Sequence, residues 1–287
     1  MRKIKCSKED VTEQDLPSTR RQVFADCYKE QFMVILRLGF LCLALILPAV
    51  LIVIMKDNFI IGATAELTEI TQETLSPIYY AANLKYGFLS VLAFTLFFTL
   101  FSGAMRIIRQ LVWRDPIFWK EDYISGMKND SVRYAIISFL IAIINYLIGL
   151  LDGSVVTYIL YGIFVGLILP VMIWSLLQTV YYKVGFFMGI RNSVLYYLKT
   201  LPLTLLMIIV TVLPFWIVTE LIPINLVKYI SLFVLALFYI IPIAMVWLLF
   251  ACRYFDEFLN KEQYPSVYRK GLRPQTEAKE QDNDTNA

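Results

Sequence analysis

The sequence predicts an all-α membrane protein of six transmembrane helices, with both termini on the cytoplasmic side. Three observations predict it. Of 287 residues, 59% are hydrophobic and only 17% charged, where a soluble domain carries about a quarter charged. Six apolar stretches are each long enough to cross a bilayer core, which needs about 20 helical residues. The lysines and arginines between those stretches fall almost entirely on alternate loops, and such an imbalance orients membrane proteins.

Residues 1–32 are polar and form a cytoplasmic segment without the features of a cleaved signal. Residues 33–253 form the transmembrane domain, with spans expected at 33–55, 86–111, 134–151, 155–182, 198–222 and 229–252. Residues 254–287 form a cytoplasmic tail, expected to be disordered from about 271 because apolar residues almost vanish there. With this layout, 22 basic residues lie inside and 3 outside, with Arg37 just within the first span. The largest outer loop runs from Lys56 to Ala82 and carries Glu66, Glu69 and Glu73. Asp152-Gly153-Ser154 reads as a tight outer turn that pairs the third and fourth spans.

The inner loop between spans two and three is the best-punctuated polar segment. Asp115 before Pro116 reads as a helix start, an acidic N-cap with proline at the first position. A short cytoplasmic amphipathic helix is expected there. Its apolar arc holds Trp119, Tyr123, Ile124 and Met127, with Glu121, Asp122, Ser125 and Asn129 opposite. Such a helix either docks a partner or lies on the membrane with its aromatics at the interface. Gly126-Met127-Lys128-Asn129 and Gly189-Ile190-Arg191-Asn192 suggest a repeat of 63 residues, pairing spans two and three with four and five.

Inside the spans, prolines at 48, 170, 202, 214 and 242 read as ordinary kinks rather than a substrate path. Gly162 and Gly166 read as a close packing face within the chain. Asn145, with Thr95, Thr99 and Ser102, supplies the polar groups at mid-depth, and no charge sits there. A charge at the bilayer centre costs about 2.5–3.5 kcal/mol and is usually retained for function. Ion-coupled transport is therefore disfavoured. There is no histidine, which removes the commonest general base and metal ligand. The four cysteines have no metal-ligand spacing and read as reduced, Cys42 and Cys252 as small apolar packers. No catalytic, cofactor-binding or metal-binding residue is assigned, no cofactor is expected, and the net charge of +3 does not argue for nucleic acid.

From Gly103-Ala104-Met105-Arg106 through Arg109 and Trp113 to Asp122-Tyr123-Ile124-Ser125-Gly126-Met127-Lys128-Asn129 the chain resembles the YesL-like family of bacterial membrane proteins. Asn192-Ser193 before Leu201-Pro202-Leu203-Thr204 fits the same resemblance. So does the tail from Phe255-Asp256 through Phe258-Leu259-Asn260-Lys261 and Tyr264-Pro265 to Arg269-Lys270-Gly271. The resemblance spans about residues 30–273. It implies a multi-pass protein of the bacterial plasma membrane, associated with carbohydrate uptake or breakdown, and it carries over no binding residue. The leading expectation is an accessory component that contacts ABC-type sugar permease subunits through Asp115, Trp119, Tyr123, Lys128 and Arg191. The alternatives are a small uncoupled permease with a path near Asn145 and Pro170, and a membrane-resident sensor.

Overall fold

The computed structural model describes residues 16–67, 69, 71–151, 155–222 and 225–273, and these residues are all-helical, with no strand among them. The helices are α1 (Arg20–Glu30), α2 (Phe32–Ala65), α3 (Gln72–Trp113), α4 (Trp119–Gly149), α5 (Val155–Ile163), α6 (Leu169–Tyr181), α7 (Phe186–Leu221), α8 (Asn225–Phe238), α9 (Ile240–Phe255) and α10 (Lys261–Gln263). Wide π turns join α5 to α6 at Phe164–Ile168 and α9 to α10 at Asp256–Asn260. Five helices are long and apolar enough to cross a membrane, α5 and α6 together forming one of them. Among the described residues the count rises to six if α8 and α9, bent by 44° at their junction, form one span. The expected tight turn at 152–154, Cys6 and the tail beyond 273 lie outside the described residues.

The long outer loop is not a loop. α2 continues to Ala65 and α3 begins at Gln72, so most of residues 56–82 are helical. Hydropathy detects only the apolar part of a helix, and the polar continuation here has its own support. Thr71 caps α3, accepting from the Thr74 N–H while the Thr74 hydroxyl accepts from the Thr71 N–H. Lys56 Nζ donates to Asn83 Oδ1 at 2.5 Å, and Lys85 Nζ lies 5.1 Å from the Phe59 ring centre. Both contacts tie the extended ends of α2 and α3 together.

The expected separate amphipathic helix is also absent, because residues 119–129 are the first turns of α4. Asp115 does not cap it. Arg114 takes a left-handed conformation at φ 56 and donates its N–H to Leu111 O, while the Asp115 N–H reaches back to Gln110 O at 2.9 Å. This pattern closes α3. The acidic group at the start of α4 is Asp122, whose carboxylate accepts the Phe118 N–H at 2.6 Å. Asp122 is therefore buried and not on a solvent face. α3 and α4 cross closely at two glycines. A Cβ on Gly103 would lie 2.7 Å from the Tyr123 ring and carbonyl, and one on Gly126 would lie 2.9 Å from the Arg106 Cβ.

Side chains bond the backbone around two of the prolines. Pro170 has no N–H to offer the Gly166 carbonyl, and the Tyr197 hydroxyl from α7 donates to it instead. Before Pro202, Thr200 leaves the helical region (φ −118, ψ 15). Its hydroxyl donates to Tyr196 O at 2.7 Å, and it lies 2.8 Å from the Thr204 hydroxyl. The Trp174 indole N–H donates to Thr204 Oγ1 at 3.2 Å. Gly162 and Gly166, read as an internal packing face, meet nothing within 4 Å of where a Cβ would stand. Gly162 is exposed and Gly166 half-buried, so neither forms a close packing face here.

Candidate functional site: the basic end of the bundle

α2 and α4 begin, and α3, α6 and α9 end, at one end of the bundle. Here this is the basic end, after Arg109, Arg114, Arg133, Arg253, Arg269 and Lys270. Its packing is dense. Leu38, Ile107, Ile108, Val112, Trp174, Leu248 and Phe255 are fully buried and lie within two turns of their helix ends there. Phe255 meets Tyr181, Tyr182 and Tyr196 with ring centres 5.1–5.4 Å apart, and Trp174 stacks on Tyr196 at 5.4 Å.

Two elements that hydropathy does not detect complete this end. α1 is opened by Thr19, whose hydroxyl accepts the Gln22 N–H while Gln22 reaches back to the Thr19 N–H, a reciprocal cap. It buries Val23 and Cys27. The tail after α10 folds back, and Arg273 N–H donates to Pro17 O at 3.1 Å. This bond ties residues 271–273 to the chain just before α1. Gly271 takes φ +80 and lies so close to α3 that a Cβ would stand 2.7 Å from Val112 O.

Asp256 is the hub. Its carboxylate accepts from Arg20 Nη2 at 2.6 Å, Asn260 Nδ2 at 2.8 Å and the Arg269 N–H at 3.2 Å, and it is 8% exposed. One buried carboxylate thereby joins α1, the π turn and the tail. Arg269 holds a left-handed φ of 51, a conformation a non-glycine residue adopts at a cost, and this turns its N–H onto Asp256. Asn260 also accepts the Tyr182 hydroxyl at 2.5 Å; burial pushes that phenol well above its usual range.

The turn between α3 and α4 is fixed to the same assembly. Arg114 pairs with Asp26 at 2.9 Å and Glu30 at 3.4 Å on α1. Asp115 pairs with Lys270 at 2.7 Å, and the Lys270 ammonium lies 4.3 Å from the Trp113 ring centre. Arg109 stacks on the same ring at 4.8 Å and donates to Val180 O at 2.5 Å. Arg133 donates to Val184 O. Arg109 thus holds a carbonyl in the last turn of α6, where positive charge is favourable, and Arg133 holds a carbonyl of the loop that follows. Cys27 donates its thiol to Leu111 O at 3.3 Å. Burial pushes that thiol up to about 11, against the opposing pull of Arg114, so it is not a nucleophile at neutral pH.

The structure separates the six candidate residues. Asp115, Trp119 and Tyr123 share the α3–α4 turn, but the two rings face the bundle. The Tyr123 hydroxyl donates to Leu100 O at 3.0 Å, and Trp119 packs on the core with its indole N–H unpartnered. Lys128 and Arg191 are exposed on α4 and α7, and neither forms an ion pair among the described residues. The two glycines of the suggested repeat also differ. Gly126 touches α3, whereas the nearest atom to a Cβ on Gly189 is Ser175 Oγ at 3.9 Å. Asn145 is exposed and one turn from the end of α4, so it lines no path at mid-depth.

Sequence reasoning did not single out Arg20, Asp256 or Arg269 as site residues, although Asp256 and Arg269 lie in the tail stretch that carries the family resemblance. No family model, curated protein or solved structure matches the chain.

Proposed function

We propose that this is a multi-pass protein of a bacterial plasma membrane, with its basic end and both termini in the cytoplasm. It serves as an accessory component of a carbohydrate uptake or utilisation system and works through protein contacts at that end. The supporting observation is the way α1, the α3–α4 turn and the tail are locked into one surface by Asp256, Arg114 and Lys270. A rigid, polar, membrane-anchored surface suits docking, since little ordering is needed when a partner binds. The link to carbohydrate rests on the YesL-like resemblance, and the orientation on the bias of basic residues.

Within the bundle, two groups of buried polar side chains are engaged with one another. Gln178 donates to Gly189 O and Ser193 Oγ, and Thr200, Thr204 and Trp174 form a second group. These bonds hold helices together and favour the accessory role over a permease. Of the five expected contact residues, the exposed cations Lys128 and Arg191 remain the ones available to a partner. The test is mild crosslinking and recovery of the tagged protein from its native membrane, with cells grown on several sugars. Recovery of ABC permease subunits, lost in Lys128→Glu with Arg191→Glu, supports the reading. Recovery of the protein without them overturns it and directs effort to flux assays.

A further inference from the structure

We propose that the cleft where α9 runs into the returning tail is a binding site for a phosphate anion, independent of which protein partner docks nearby. The cleft has a volume of about 360 Å³. Four cations line it: Arg20, Arg253, Lys261 and Arg269. Two carboxylates oppose them, Asp256 and Glu257, and Asp256 is fully engaged by Arg20, Asn260 and the Arg269 N–H. Glu257 alone is left against Arg253, Lys261 and Arg269, so the cleft is electropositive.

The cations at the rim are available to an anion: Arg253 and Lys261 are exposed and in no ion pair among the described residues. A hydrogen bond between an ionised donor and a phosphate oxygen is stronger than a neutral one. A guanidinium fork matches phosphate geometry better than any other side chain does. The backbone is arranged to form this cleft. The π turn Asp256–Asn260 widens the helix so that Arg253, Glu257 and Lys261 line one side, and wide turns of this kind concentrate at functional sites. Arg269 is held left-handed by its bond to Asp256. Tyr268 and Leu272 supply an apolar wall. Because Arg253 sits at the end of a membrane-spanning helix, the site lies at the depth of lipid headgroups.

The phosphate is either a lipid headgroup or a soluble ion, and one experiment separates them. The purified full-length protein in a neutral detergent is titrated with short-chain phosphatidylglycerol, with short-chain phosphatidylcholine and with inorganic phosphate. Binding is followed by native mass spectrometry and by the thermal midpoint. Saturable binding of phosphatidylglycerol alone assigns the site to anionic lipid; saturation by inorganic phosphate as well assigns it to the phosphate group itself. Arg253→Gln with Lys261→Gln is expected to weaken binding about tenfold. Both side chains are exposed and outside the ion pairs that hold the fold. Glu257→Gln is expected to tighten binding about threefold by removing the opposing charge. Equal binding of the two lipids, no saturable binding of either anion, or wild-type affinity in the double variant with no gain from Glu257→Gln would overturn the proposal.

Discussion

The two ends of the bundle are built from the same helices but held by different forces. At the basic end, buried rings and aliphatic side chains pack around Phe255 and Trp174, and four ion-pair contacts tie α1, the α3–α4 turn and the tail together. At the opposite end, Leu51, Ile61, Tyr79, Leu84, Val155, Tyr158 and Leu226 are exposed. Among the described residues, the side-chain hydrogen bonds that join helices there include Lys56 with Asn83, Asn83 with Gly149 O at 3.4 Å, and Asp57 with Tyr229 at 2.9 Å. Exposed apolar side chains on a membrane helix face lipid at no cost, so that end needs little internal packing. At the basic end, buried apolar area and satisfied charge hold α1 and the tail in place. Local stability is therefore expected to be concentrated at the basic end.

The strongest way to break this contrast is Asp256→Ala. The carboxylate is mostly buried and engages Arg20 and the Arg269 N–H. Removing one member of a buried pair leaves an uncompensated charge, at a cost of about 3–5 kcal/mol. The loss is expected locally, as faster amide exchange throughout α1 and residues 264–273, with α4 beyond Tyr134 unchanged. If α1 keeps its protection, the ion-pair hub is not what makes the basic end rigid.

A smaller effect is expected from Gly271→Ala. The residue sits at φ +80 with the Val112 carbonyl 2.7 Å from where the methyl would stand. The left-handed conformation costs an alanine about 1–2 kcal/mol, and the obstructing atom is backbone, which yields poorly. We expect a loss of about 2–3 kcal/mol, read as release of the tail and of the Lys270 pair with Asp115. Gly162→Ala is the counterpart. It has open space around it and a helical backbone, so it is expected to be neutral or to stabilise by up to about 1 kcal/mol. Equal loss at both positions in thermal unfolding would show that the local environments do not differ as described.

The sequence revealed the membrane helices because their signal is redundant. A span of about 20 apolar residues survives any few exceptions, and each expected stretch overlaps a helix found. The ends were less legible. Residues 56–65 and 72–85 are helical through capping and paired polar contacts, and no hydropathy window records those. α1 escaped notice because it buries only Val23 and Cys27. The hub was invisible because Arg20 and Asp256 are 236 residues apart, and nothing in either neighbourhood names the other. Asp115-Pro116 misled for a physical reason: the same polar residue that opens a helix also follows one, and here Arg114 closes α3 first. Trp119 and Tyr123 were expected as partner or membrane-interface contacts, but aromatic amphipathicity does not say whether the apolar face meets lipid, a partner or the chain itself, and here both rings pack on the bundle.

The mildest prediction tests the other half of the contrast. Tyr229 donates its hydroxyl to Asp57 Oδ2 at 2.9 Å, joining α8 to α2. A hydrogen bond to a buried carboxylate would be worth about 1.5–3 kcal/mol. Here both side chains are half-exposed, so water replaces the phenol when it is removed. Tyr229→Phe keeps the ring and its packing and removes only the donor, so the expected loss is about 0.5–1 kcal/mol. It should appear in exchange of α8 amides and leave α1 and the tail untouched. A loss as large as that from Asp256→Ala would mean that single polar contacts hold the far end as strongly as the hub holds the basic one. The rigidity of the protein would then be distributed along the helices rather than gathered at the basic end.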